Sequence, residues 1–129
     1  MKAPSISRRA LLTTVLSVAA ILFGAQTALG HHGWRWTKDG KFEITGIVAS
    51  ARLGNPHGVV KLNVEGKIWT IEVGQPWRNK RAGLTDAMFA KGKEITIVGS
   101  RSAKASERVV KAVRVRIAGK NYDLYPERL

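Results

Sequence analysis

The chain of 129 residues contains no cysteine. Disulfides, thiolate metal ligands and lipid attachment at cysteine are therefore excluded, and an oxidising compartment neither helps nor harms it. Acid is scarce, with nine Asp and Glu against 22 Lys and Arg, a formal net charge of +13. There is no Gly-x-Ser-x-Gly, no phosphate-binding loop and no pair of carboxylates set among apolar residues, so hydrolase and phosphoryl-transfer chemistry have no foothold. The sequence reads as a non-enzyme, a copper oxidase being the one catalytic alternative. Histidine is equally sparse: His31, His32 and His57 are all there is. One long apolar run exists, Ala10 to Gly24, and it is too short to cross a bilayer of about 30 Å comfortably.

Residues 1–30 read as an export signal. Lys2, Arg8 and Arg9 supply a positive start, the apolar run follows, and Ala28-Leu29-Gly30 places small residues at the −3 and −1 positions of a cut. Ser7-Arg8-Arg9-Ala10-Leu11-Leu12 resembles a twin-arginine signal in part, with Thr13 where lysine is usual. An ordinary secretory route fits equally. Either route leads to a bacterial periplasm or the exterior, and the mature form carries no membrane span. Removing residues 1–30 takes away three basic residues and no acidic one, which leaves 19 against 9, net +10. The 99 residues that remain make one domain with a modest core.

Residues 31–40 read as an arm carrying Trp34 and Trp36, and residues 41–129 as a barrel domain. Lys41 to Arg52 has strand rhythm, with Phe42, Ile44 and Val48 on one face and Gly46 as a bulge or bend. A Gly-, Asn- and Pro-rich turn spans Leu53 to Gly58. Val59 to Val64 and Lys67 to Val73 form a hairpin around Glu65-Gly66. Pro76 opens a helical turn that Gly83 stops, and Thr85 caps a second one over Asp86 to Ala90. Strands return over Lys93 to Arg101 and Arg108 to Ala118, with Gly99 as a second bend. In the last of these, Val109, Val113, Val115 and Ile117 are expected inward, Val110, Arg114 and Arg116 outward, and Lys111 at the rim. A Gly119-Lys120 turn leads to a short final strand over Asn121 to Tyr125. The fold class is mainly β: a five- to six-stranded OB-like barrel with one short helix between strands three and four. A small sandwich is the alternative.

The chain resembles an uncharacterised family of small exported bacterial proteins, catalogued as a DUF. His31-His32-Gly33, Asn55-Pro56-His57, Trp69-Thr70-Ile71-Glu72, Asn79-Lys80-Arg81-Ala82-Gly83 and Gly92-Lys93-Glu94-Ile95 carry the likeness. Lys93 stands where the family has aspartate, and Asn79 where it has leucine. The resemblance implies a small β-barrel and export. It implies no function.

The histidines point to a metal. If the cut follows Gly30, His31 becomes the chain start, and its α-amine and Nδ1 close a six-membered chelate. The amine titrates near pH 8, within reach of a competing metal. A second imidazole, from His57 in the first long turn, completes a three-nitrogen set of the kind called a histidine brace. His32 points away from its neighbour in an extended arm and serves as the substitute ligand. Copper is the expected ion because all-nitrogen sites favour it; zinc and nickel are alternatives, zinc lacking an evident fourth ligand. A cut after Ala28 would instead place His31 third, where amine, amides and imidazole also bind copper(II) or nickel. Storage, delivery or sensing of the ion asks least of the sequence.

The rival expectation is a binding module for an anionic ligand: an acidic lipid, lipopolysaccharide or glycan. Arg78, Lys80, Arg81, Arg101, Lys104, Arg114 and Arg116 supply charge near aromatics, with Trp34 and Trp36 available for stacking. Nucleic acid is not expected as a partner in an exported protein.

Overall fold

A computed structural model of the chain describes residues 33–129. The proposed signal, His31 and His32 lie outside the described residues. The chain divides into two units, Met1–Arg35 and Trp36–Leu129, and the second holds every strand and helix described below.

Six strands form one sheet: β1 (Phe42–Arg52), β2 (Val59–Val64), β3 (Lys67–Glu72), β4 (Glu94–Arg101), β5 (Val109–Ile117) and β6 (Lys120–Asp123). Their order is β3-β2-β1-β4-β5-β6, and a parallel pairing of β3 with β5 closes the first five into a barrel. Every other pairing is antiparallel. This is the OB-like arrangement, with β6 outside the closed ring. One short helix, α1 (Pro76–Ala82), and a 3-10 turn, Asp86–Phe89, lie between β3 and β4. Proline at the start of α1 and Gly83 beyond its end, at φ 89°, bound it as the sequence leads one to expect. Thr85 precedes the 3-10 turn but makes no side-chain cap bond.

Ile44, Val48, Val60, Leu62, Ile71, Ile95, Ile97, Val110, Ala112 and Val115 fill the barrel, joined by Leu84 and Phe89 from the β3–β4 connection and by Leu124. Burial of these side chains is the main force on the fold. Gly46 sits in a close approach and not at a bulge: a Cβ there would lie 2.5 Å from the Asn63 carbonyl oxygen. The register of β1 on β2 slips further along, between Val48 and Ser50.

In β5 the expected phase fails at the strand's start. Val110 is fully buried and Val109 only partly so. The cause is a bulge: Val98 pairs with Arg114 but Gly99 with Ala112, so Val113 has no opposite number and the alternation inverts across it. Gly99 is required there, since a Cβ would stand 2.0 Å from the Lys111 carbonyl oxygen. The last hairpin turns on Ala118 and Gly119, both at positive φ, one position earlier than the expected Gly119-Lys120.

The arm joins the barrel through its main chain. Lys38 N–H donates to the Arg101 carbonyl (2.8 Å) and Ala103 N–H to that of Trp36 (2.9 Å), around a bridge from Thr37 to Ser102. Trp36 is half-buried.

Candidate functional site

His57 lies at the barrel mouth where the β1–β2 turn meets the end of β3. The turn carries a cis Asn55–Pro56 bond. Beyond it, Gly58 locks the chain to the β3 exit: its N–H donates to Gly74 O (2.9 Å), and Val73 N–H donates to Gly58 O (3.0 Å). A Cβ on Gly58 would fall 2.5 Å from Val73 Cγ2, so only glycine lets the turn lie this close.

Asn79, on α1, holds the same junction from beneath. It is buried. Its Oδ1 accepts from Gly74 N–H (2.8 Å) and its Nδ2 donates to Gly74 O (2.8 Å). One side chain thus satisfies both main-chain groups of the residue where β3 hands over to α1. A leucine at this position would satisfy neither.

His57 Nδ1 lies 3.2 Å from the Gly58 carbonyl oxygen. A carbonyl only accepts, so Nδ1 carries the proton in this bond and the neutral ring keeps its lone pair on Nε2. That atom stands 3.9 Å from Oε1 of Glu72, with the imidazole about a quarter exposed and the carboxylate almost wholly buried. The separation exceeds a hydrogen bond.

Glu72 is not among the residues that the sequence singles out, yet its carboxylate is the acid that faces His57. The hairpin register puts it there: Val64 faces Lys67 across the Glu65-Gly66 turn, and counting outward sets Glu72 opposite Val59, two residues from His57. On its other edge Glu72 is in register with Lys111 of β5. Burial pushes the Lys111 ammonium below its ordinary value, against the pull of Glu72 and together with the repulsion of Arg128 and Arg78. Tyr125 is raised, chiefly by burial. Lys111 is therefore half-buried in a charged cluster at the barrel mouth, not a bare rim lysine.

Among the described residues no group of three His, Asp or Glu side chains gathers as a metal cluster. His57 and Glu72 make two donors, and His31 and His32 fall outside the described residues.

The basic candidates do not share one surface. Arg114 makes a two-pronged bond to Asp123, Nη2 to Oδ2 at 3.1 Å, and Arg116 reaches Asn121 (3.0 Å) and Glu43 (3.3 Å). Arg101 lies over the stacked rings of Phe42 and Trp69, at 5.2 and 5.4 Å. Lys104 pairs with Glu107 at 3.8 Å. Lys80 and Arg81 are exposed on α1. Arg78 is sandwiched over Tyr125 (4.1 Å) and Trp77 (4.6 Å), and its Nη1 donates to Leu124 O (2.9 Å). Its Nε is buried with no hydrogen-bond partner among the described residues. Arg78 and Arg81 line a groove of about 420 Å³ with Asp123, Leu124 and Glu127. Trp34 belongs to the first unit.

The model of DUF6152, a family of unknown function, matches residues 19–110, and the chain belongs to that family. No curated protein matches. Among solved structures, the ZRD-deleted mutant of TiaS in complex with agmatine is similar at TM-score 0.49 and 11% identity, over 65% of this chain. The chain spans about a quarter of that protein, 26% of its length. A likeness of that degree carries no inference about function.

Proposed function

We propose that this member of a family of unknown function is an exported metal-binding protein, with copper the leading ion, held by His57 and by the mature chain start at His31. Storage, delivery or sensing in the periplasm is the role. The observation that carries the proposal is the 3.2 Å contact of His57 Nδ1 with the Gly58 carbonyl oxygen. Metal-ligating histidines donate the second ring nitrogen to a carbonyl or carboxylate, which aims the first at the ion. His57 makes such a bond to Gly58 and keeps its imidazole about a quarter exposed.

Mass spectrometry of the exported protein fixes the terminus, and copper(II) titration followed by electron paramagnetic resonance counts nitrogen ligands. One residue added before His31, and His57→Ala separately, are each expected to weaken binding by at least about a hundredfold. Unchanged affinity in both overturns the proposal.

A second reading has one observation in its favour, the buried Nε of Arg78 beside the α1 groove. It makes this face a site for an anionic envelope component such as an acidic lipid or glycan. Binding to anionic vesicles that falls steeply with salt and survives replacement of all three histidines by alanine is the expected result; binding lost with the histidines sinks it.

A further inference from the structure

We propose that the free edge of β1 past its bulge is a docking site for an extended, acidic segment of a partner protein, which adds to the sheet as a strand. The proposal does not draw on the metal site.

The sheet leaves a place open. β4 pairs with β1 only from Phe42 to Ile47. Two further bonds, Val48 N–H to Lys93 O and Gly92 N–H to Val48 O, end the contact, and at Gly92, φ 91°, the chain bends at the sheet's border. β1 runs on to Arg52 with β2 on one side and, among the described residues, no strand on the other. A groove of about 630 Å³ occupies that place. Its walls include Ala49, Ala51 and Arg52 of β1, and Asp86, Phe89 and Lys91 of the β3–β4 connection.

The main chain of this edge faces the groove. Partners in an antiparallel pair alternate between those that exchange both hydrogen bonds and those that exchange none. Past the bulge, Ser50 stands opposite Lys61, Ala51 opposite Val60 and Arg52 opposite Val59. Gly58 bonds across to Val73 and Gly74 at the end of β3, so Val60, two residues on, turns its groups toward β3 as well. Ala51 therefore presents its N–H and C=O to the groove and not to β2.

Burial agrees. Ala51, Val60, Ile71 and Val110 form one row across the inner face of the sheet. The last three are fully buried, but Ala51 is exposed. The row ends uncovered where an added strand would lie, and the short side chains of Ala49 and Ala51 let a second backbone approach. In this mode of recognition main-chain bonds supply affinity and alternate side chains supply specificity.

Charge selects the occupant. Arg52 and Lys91 stand on the two walls against a single acid, Asp86, and all three are exposed. A second copy of this chain would set the same basic pair against its own, and charge of one sign along an edge opposes self-pairing. An acidic strand is attracted instead, more weakly as salt rises.

The test screens the exported protein against immobilised short peptides of valine and threonine that carry glutamate, glutamine or lysine at alternate positions. Glutamate peptides are expected to bind at least about tenfold more tightly than lysine peptides. Methylation of alternate backbone nitrogens in the glutamate peptide is expected to abolish its binding. Ala51→Pro removes the edge N–H and no bond to β2, and it is expected to lose binding as well. If Ala51→Pro does not fold, Arg52→Glu combined with Lys91→Glu carries the test and should reverse the preference, toward lysine peptides. No binding, binding that ignores peptide charge, or binding at native strength in Ala51→Pro overturns the proposal. So does a dimer seen by sedimentation and abolished by Ala51→Pro, because a second copy then occupies the edge.

Discussion

His57–Glu72 and Arg114–Asp123 each set a basic group against an acid, and they do it in opposite ways. Arg114 closes on Asp123 with two bonds on an outer face, where both side chains keep a quarter to a third of their surface in water. His57 and Glu72 face each other across 3.9 Å at the barrel mouth, where the imidazole keeps about a quarter of its surface in water but the carboxylate is buried. The first contact is complete and contributes little, as surface ion pairs do. The second is a looser contact, between groups held in place by the β3 register and by the Gly58 turn. In a chain of net charge +13, abundance of charge therefore does not locate function. Arg114 and Arg116 of β5 are absorbed by Asp123, Glu43 and Asn121, whereas Glu72 sets one buried acid at the mouth.

The strongest way to break this contrast is to remove what holds the mouth rigid. Asn79→Ala leaves Gly74 N–H without its acceptor, while Gly74 O keeps its bond from Gly58. An orphaned buried donor and a lost side chain cost about 2–4 kcal/mol. Denaturant unfolding should show that loss, and metal affinity should fall with it because the Gly58–Gly74 clamp sets His57. Asn79→Leu should fare no better in stability. A stable Asn79→Ala protein would show that the mouth does not depend on this clamp.

How far the sequence shows such features depends on whether local chemistry fixes the geometry. The β2–β3 hairpin is legible because a two-residue turn at Glu65 and Gly66, both at positive φ, sets the register outright. The helix is legible from Pro76 and Gly83. The phase of β5 is not, since the bulge at Val113 depends on how β4 is placed and not on β5 itself. Gly46 looks like a bend, but its reason is the Asn63 backbone arriving from another strand. Of the site, His57 stands out by rarity. Glu72 is hidden by its strand, where an acid next to alternating apolar residues reads as solvent-facing. A signal for it is nevertheless present: the register that follows from Glu65-Gly66 sets residue 72 opposite residue 59. Asn79 gives no sign of its role in the sequence, because that role depends on where α1 places it beneath Gly74.

On the outer face the expected effects are smaller and depend on pH. The hydrogen bond from Arg114 holds the Asp123 carboxyl below the usual range, against the opposing effect of burial and with a smaller pull from the Arg114 charge. A depressed folded value means the stabilisation is present above the unfolded value of about 3.9 and is lost as pH falls through the folded one. Asp123→Asn should therefore lower Tm at pH 7 by about a degree or two, and the difference from the native chain should shrink below about pH 4. Metal affinity should not move. A change in metal binding on Asp123→Asn would mean that the two contacts are coupled, against the contrast drawn between them.

A gain in stability, not a loss, is expected at the two turns, and it separates strain from function. Both hairpins use two residues at positive φ, Glu65-Gly66 and Ala118-Gly119. Glutamate and alanine each carry a Cβ into the left-handed region, which costs about 1 kcal/mol relative to glycine. Glycine also adds freedom to the unfolded chain, and that offsets part of the gain. Ala118→Gly should then stabilise by about 0.5 kcal/mol, read as a Tm rise of about 2–4 °C. Glu65→Gly should do the same, minus the loss of one acid from a basic protein. The Glu65 turn sets the register that brings Glu72 to His57, while the Ala118 turn serves only β6, outside the closed ring. Lengthening the Glu65-Gly66 turn by one residue should therefore shift the register, turn Glu72 to the other face and lower metal affinity at His57. The same insertion at Ala118-Gly119 should leave binding as it is. Equal effects of the two insertions on metal affinity would mean that binding does not depend on the β2–β3 register.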